Sequence, residues 1–453
     1  MTRSRRCLSF LSTPTSHGEL ARNLSSKCSP RARIPIGAFF LAAFLVWLSY
    51  PLARAGDSRG KVKWVAAWQG SPTPGGTFFS PGCPSDVGLN SETVRNIIYP
   101  TMGGDGIRAR ISNAGGSVPL SVGAATIAVR GTGAATLPGT THALRFSGEP
   151  SILIAAGAEA LSDPIPLRVD AYEALALSIY LPGSTGPATQ HYVAEQDNYL
   201  GPGDQTEVSD ASGFTQKISC WMFLSGLDVT RSPRVLGALV TLGDSITDGY
   251  LSTANTNRRF PDVIARRLLA RDGPTLSVSN AAVTGNELLY IRPQLEIGYP
   301  VQARLARDVL TQPGARAVIL LEGINDIGDR SAKAVDLIAT DLQIFHQVHA
   351  AGLKIYGGTL TPFAGSNAIY GGDYGTDAGE RERQALNEWI RNSHAFDGVV
   401  DFDKAIRDPA KQSQILPAYQ GDPLHPNDAG YQAMANAVEL EQIIGAILGE
   451  DAH

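Results

Sequence analysis

From Val235 onward, short apolar runs alternate strictly with longer amphipathic ones, and this alternation restricts the fold more than any other feature of the 453-residue chain. RVLGALVTLG, TLSVSNAAVTG, ARAVILLEGIND, LKIYGGTLTPF and VVDFDKA have the length and apolar content of buried strands. Between them, FPDVIARRLLARDG, YPVQARLARDVLTQPG, AVDLIATDLQIFHQVHAAG and ERERQALNEWIRNSHAFDG place apolar residues at helical spacing. NDAGYQAMANAVELEQIIGAILG reads as one closing helix. Such a pattern predicts an α/β domain over 234–453, a parallel sheet with helices on both faces. In sheets of that kind, functional groups sit in loops at the carboxyl ends of the strands.

The preceding stretch has another texture. KVKWVAAW, GIRARISN, ATIAVRG, HALRFSG and ALALSIYLPG are short strand-like runs punctuated by Gly, Pro, Ser and Asn. They predict a β-rich, sandwich-like domain over 56–233. Trp64, Trp68, Tyr99, Tyr172 and Tyr180 fall in or beside these runs and read as core aromatics before they read as ligand platforms.

Residues 1–55 stand apart. They hold eight Lys or Arg against the single Glu19, then the apolar run Ile34–Tyr50 and the sequence ARA at 53–55. A basic head, a short apolar core and an A-x-A exit describe a secretory signal peptide; a retained N-terminal anchor is the alternative. SRRCLSF at 4–10 resembles a twin-arginine export motif lying far from the apolar core, and a start assigned too early accounts for the long head equally well. The chain's net charge is −5, so without the +7 of this segment the remainder carries −12. An acidic protein of that kind repels phosphate, which argues against nucleic acid and against stable contact with anionic membrane after cleavage. Of four cysteines only Cys83 and Cys220 lie beyond the segment, enough for one disulfide in an oxidising compartment.

The strand ends carry the chemistry. The first strand runs into GDSITDG, with Ser245 between turn residues. The second ends in NAAVTG with Gly285, the third in GIND with Asn325, and near the C-terminus DPLHPN sets Asp422 three residues before His425. Ser245 read alone is as good a helix N-cap as a nucleophile. Asn325 read alone is a turn former, and His425 a surface histidine. Together, at successive strand ends, they form a serine–histidine–aspartate set with amide donors: a base to deprotonate the serine, an acid to orient the base, and donors for an oxyanion. Asp244 and Asp248 read as turn formers, His346 and His349 as helix surface, and His142, His191 and His394 belong to no constellation. There is no phosphate-binding loop, HExxH or cysteine pair for zinc, so neither cofactor nor metal is expected.

These four blocks resemble those of the SGNH, or GDSL-type, hydrolase superfamily, over residues from about 235 to 450. The resemblance implies a three-layer α/β/α, flavodoxin-like domain. It also implies Ser245 as nucleophile, Ser245, Gly285 and Asn325 as oxyanion donors, and Asp422 and His425 as the relay. Ala282 departs from the pattern, where the family often has glycine. WVAAWQGSP, TVRNIIYPTMGGDGIRARISN and LALSIYLPG look like the lead-in of secreted bacterial members related to xylan esterases. The expectation is an exported serine esterase removing short acyl groups, acetyl first, from carbohydrate. A lysophospholipase, an acyltransferase and a catalytically silent carbohydrate-binding protein are the alternatives. The Gly-rich stretch at 361–380, at a strand end, is the expected substrate wall.

Overall fold

The computed structural model describes residues 64–77, 82–294 and 297–451. Residues 1–55, predicted as an export segment, lie outside the described residues. Among the described residues, no helix is long and apolar enough to cross a membrane.

The C-terminal region is the expected α/β fold. Five parallel strands run in the order Thr275–Ala282, Val235–Gly243, Ala315–Leu321, Lys354–Gly358, Gly398–Val400. The central ones are apolar on both faces because both are covered: Leu239, Val240 and Leu242 are all buried. The helix Phe260–Ala270 turns Phe260, Val263, Ile264 and Leu268 inward, and Ala334–Ala350 turns Leu337, Ile344 and Val348. These side chains share one core with the strands.

Two predicted elements differ in detail. The segment beginning at Val301 is α-helical only to Leu305, then winds wider over Ala306–Leu310. There the buried Asp308 receives Arg304 Nη1 at 3.0 Å and Arg307 Nε at 2.6 Å. The closing helix is two helices, Asp428–Asn436 and Leu440–Asp451. Arg267, from the neighbouring helix, donates to the carbonyls of Ala435 and Val438 and so satisfies the backbone acceptors at the break.

The N-terminal region is β-rich and antiparallel. One sheet orders Trp64–Gln69, Leu224–Thr230, Ile107–Ser112 and Glu159–Leu161. A second, of six strands, has Glu92–Ile98 and Leu175–Leu181 at its centre. Side chains of both enter one core, which the Cys83–Cys220 disulfide borders. Trp68 and Trp221 meet edge to face within it, 5.0 Å between centroids. The strand Trp64–Gln69 lies along the outer parallel strand: Ser277 Oγ donates to the Ala66 carbonyl at 2.7 Å, and Thr101 Oγ1 to that of Val278 at 2.7 Å.

Candidate functional site

Strand Val235–Gly243 delivers Ser245 through a turn too tight for any residue but glycine at 243. A Cβ there would lie 2.2 Å from Thr247 Oγ1 and 2.4 Å from the Leu321 carbonyl. Asp244 caps the short helix Ser245–Asp248, its carboxylate accepting the Ile246 amide at 2.9 Å. The cap is thus Asp244, which leaves the Ser245 hydroxyl to another partner. That partner is His425, whose Nε2 lies 2.9 Å from Ser245 Oγ.

His425 is aimed by the turn that precedes the helix Asp428–Asn436. Asp422 Oδ1 accepts the amides of Leu424 and His425, both at 2.7 Å, which folds the segment back on itself. Asp422 Oδ2 then meets His425 Nδ1 at 3.0 Å. Asn427 caps the following helix by accepting the Gly430 amide at 3.0 Å. Burial opposes ionisation of Asp422, but the hydrogen bond and charge of His425, with a hydrogen bond from Tyr370, outweigh it and hold the carboxyl well below the ordinary range. Tyr370 Oη donates to Asp422 Oδ2 at 2.7 Å and stands 3.3 Å from His425 Nδ1. The Tyr250 ring packs against the imidazole, centroids 4.8 Å apart.

The amide donors gather beside the serine helix. Gly285 adopts φ +74° in the loop after Thr275–Ala282. Asp248 fixes that loop, its Oδ2 accepting the Thr284 amide at 3.0 Å and hydroxyl at 2.7 Å. Asn325 opens the helix Ile324–Arg330 and donates one Nδ2 hydrogen to the Asn286 carbonyl at 2.8 Å. Its Oδ1 accepts Tyr374 Oη at 2.6 Å. Hence all five sequence-predicted residues converge: Ser245, Asp422 and His425 directly, and Gly285 and Asn325 through the loop that Asp248 ties to the serine helix.

Four residues escaped the sequence reading. Tyr370 and Tyr374 come from the Gly-rich stretch at 361–380, and their only sequence signal was their place in a strand-end loop. His191 was assigned to no constellation, and Asp248 to a turn. The structure corrects both: His191 Nε2 lies 3.0 Å from Asp248 Oδ1, with Nδ1 3.1 Å from the Ser71 carbonyl. Both side chains are fully enclosed. Burial alone would discharge His191, but the charge and hydrogen bond of Asp248, with the Ser71 carbonyl, raise it above the usual histidine value. Burial likewise opposes the Asp248 charge; His191 and Thr284 outweigh it and lower the carboxyl. A space of about 40 Å³ adjoins the pair, lined in part by Trp68, Trp221 and Arg259. His349 also has a partner, Asp397 Oδ2 at 2.7 Å. No group of three His, Cys, Asp or Glu able to hold a metal occurs among the described residues.

A parallel α/β sheet with a serine, a glycine and an asparagine after three of its strands, and a histidine on the turn before the helix Asp428–Asn436, has the arrangement of the SGNH class of hydrolases. Residues 241–433 match the model of the GDSL-like lipase/acylhydrolase family, and the protein is an ester-hydrolysing enzyme. No curated protein matches the chain. Among solved structures, a family two carbohydrate esterase from Cellvibrio japonicus is 11% identical, with 84% of this chain and 98% of that one covered at a TM-score of 0.35. A carbohydrate acetylesterase from Sinorhizobium meliloti is 14% identical over 46% of this chain and 99% of its own, at 0.37. An inhibitor-bound aryl esterase from M. smegmatis is 15% identical over 46% and 99%, also at 0.37.

Proposed function

We propose that the protein is an exported serine esterase that removes short acyl groups, acetyl first, from carbohydrate through an acyl-Ser245 intermediate. The observation that carries this reading is the 2.9 Å approach of Ser245 Oγ to His425 Nε2, backed by Asp422 on Nδ1. His425 Nε2 takes the hydroxyl proton as Oγ attacks the ester carbonyl. Asp422 holds the ring in the tautomer with hydrogen on Nδ1 and stabilises the imidazolium. The Ser245 and Gly285 amides and the second Nδ2 hydrogen of Asn325 receive the oxyanion. On collapse, His425 returns the proton to the leaving alcohol oxygen. Water, deprotonated by the same imidazole, then releases the acid and restores Ser245.

Tyr250 and Tyr370 flank His425 with ring faces suited to a sugar. Export is supported by the basic and apolar head of the sequence and by the Cys83–Cys220 disulfide, which belongs in an oxidising compartment.

The test is acetate release from acetylated xylan, beside hydrolysis of a short-chain p-nitrophenyl ester and of a lysophospholipid, with Ser245→Ala alongside. Acetate from xylan, lost in the variant, is the expected result. Activity confined to the lysophospholipid would overturn the carbohydrate assignment, and full activity of Ser245→Ala would overturn the mechanism.

A further inference from the structure

We infer that Tyr370 and Tyr374, four residues apart in the loop after strand Lys354–Gly358, are positioning residues for the two opposite ends of the catalytic machinery, Tyr370 for the Asp422–His425 pair and Tyr374 for Asn325. The inference rests on the proposed roles of Ser245, His425 and Asn325.

The Tyr374 arm has a defined direction. The Asn286 carbonyl can only accept, so the Asn325 side chain must present its NH₂ there, at 2.8 Å, and its Oδ1 the other way. Oδ1 in turn can only accept, so Tyr374 donates to it, at 2.6 Å. Arg292 Nη2 then donates to the tyrosine oxygen at 3.3 Å, and the Glu287 carboxylate lies 2.8 Å from Arg292 Nε. The order guanidinium, phenol, amide runs one way, each donor polarising the next, and it ends at the NH₂ that faces the oxyanion. Packing fixes the tyrosine as firmly as the hydrogen bonds do. A Cβ on Gly328, one turn after Asn325 on the same helix, would lie 2.4 Å from the Tyr374 ring, so the ring seats directly on that helix. The Asp373 amide bonds the Gly328 carbonyl at 2.8 Å and pins the loop there.

On the Tyr370 arm, the hydroxyl is the fourth donor to Asp422, after the Leu424 and His425 amides and His425 Nδ1. Tyr370 is 36% exposed, whereas Tyr374 is 4% exposed, and their rings stand 5.7 Å apart. One loop thus braces the oxyanion side from within and the acid–base side from the rim.

A merely structural pair would change stability and leave the chemical step alone. Without the Tyr374 hydroxyl, Asn325 Oδ1 loses its donor, the NH₂ is less polarised, and the Asn286 carbonyl alone holds the amide. Loss of a whole oxyanion donor costs about 10²- to 10³-fold. Tyr374→Phe is therefore expected to lower kcat on the p-nitrophenyl ester roughly 10- to 100-fold, within that limit, with KM held within about twofold. It should slow covalent labelling of Ser245 by a fluorophosphonate in the same proportion, since the phosphonyl oxygen occupies the oxyanion position. Tyr370→Phe removes one donor from Asp422, leaving a more basic carboxylate to hold the imidazolium, which Tyr250 and Asp422 otherwise face. It should move the acidic limb of the kcat/KM profile to higher pH and leave the plateau within about tenfold.

Both variants are made in the full chain with Ser245→Ala beside them, and melting temperatures are recorded. If Ser245→Ala is inactive while Tyr374→Phe keeps wild-type kcat and labelling rate, or Tyr370→Phe keeps the wild-type profile, the corresponding arm is overturned and the esterase reading stands. If Ser245→Ala is active, both fall together. Should Tyr374→Phe fail to fold, Tyr370→Phe at the exposed rim still decides its own arm, and Arg292→Lys tests the other.

Discussion

Replacing His191 by alanine tests whether the front of the chain holds the serine helix in place. The imidazole is 3% exposed and spans from Asp248 at 3.0 Å to the Ser71 carbonyl at 3.1 Å. Removing one member of a buried ion pair costs about 3–5 kcal/mol, because the other charge is left behind. Here Asp248 keeps both bonds from Thr284, Arg259 stands near, and the adjoining space of about 40 Å³ admits water once the ring is gone. These place His191→Ala near the lower end, about 3 kcal/mol. The pH dependence has a definite sign. His191 is raised above its unfolded value, so its contribution is complete below about pH 6.5 and disappears as pH rises through the raised pKa. Asp248 is lowered, so its contribution is present above about pH 4 and disappears as pH falls through the lowered pKa. The pair is strongest between those limits. Urea unfolding of wild type, His191→Ala, Asp248→Asn and the double variant at pH 6 and pH 9 gives the coupling energy directly. A coupling of about 2–3 kcal/mol at pH 6, smaller at pH 9, is expected. A His191→Ala variant within about 0.5 kcal/mol of wild type at pH 6, the range of ordinary surface substitutions, would refute the reasoning.

Further outcomes are expected at other positions. Asp422→Asn should lower kcat/KM by roughly 10²- to 10⁴-fold and move the acidic limb of its profile to lower pH, since the imidazolium loses the carboxylate that holds it; this is read from pH–rate curves. Reducing Cys83–Cys220, which closes a loop of 137 residues, should lower the unfolding free energy by up to about 5 kcal/mol on the chain-entropy estimate, seen as an earlier urea midpoint in dithiothreitol. Gly285→Ala puts a side chain at φ +74° with Ile297 3.1 Å away, and should cost about 1–3 kcal/mol and a large share of kcat. Equal stability and turnover for that variant would remove the backbone argument for the glycine.

The parallel sheet was legible because burial on both faces writes continuous apolar runs, and the helices between them show their own period. Ser245, Gly285 and Asn325 were legible because topology places them just after parallel strands, and Asp422 and His425 because they share one local motif of fixed spacing. The tyrosines were not, since Tyr374 reaches Asn325 across 49 residues and Tyr370 reaches Asp422 across 52, and no local spacing records such contacts. His191 reaches Asp248 across 57 and sits in a segment with no motif of its own. The break in the closing helix was hidden for the same reason. Two of its carbonyls are met by Arg267, about 170 residues upstream, whereas the local apolar period runs through it unbroken.

The outer strand Thr275–Ala282 has a sheet neighbour on one side alone, and on the other Thr101 Oγ1 meets both the amide and the carbonyl of Val278. Exposed sheet edges recruit other chains, and a side chain on the edge backbone blunts that pairing. A shortened enzyme beginning at Val235 would retain every residue drawn on by the chemistry, yet would expose that edge and leave Asp248 without its histidine. Such a fragment is expected to collect in the insoluble fraction on expression. The front of the chain thus supplies the parallel sheet with a guard for its edge and Asp248 with its partner, and shuffling hydrolase halves between chains would have to move Thr101 and His191 together.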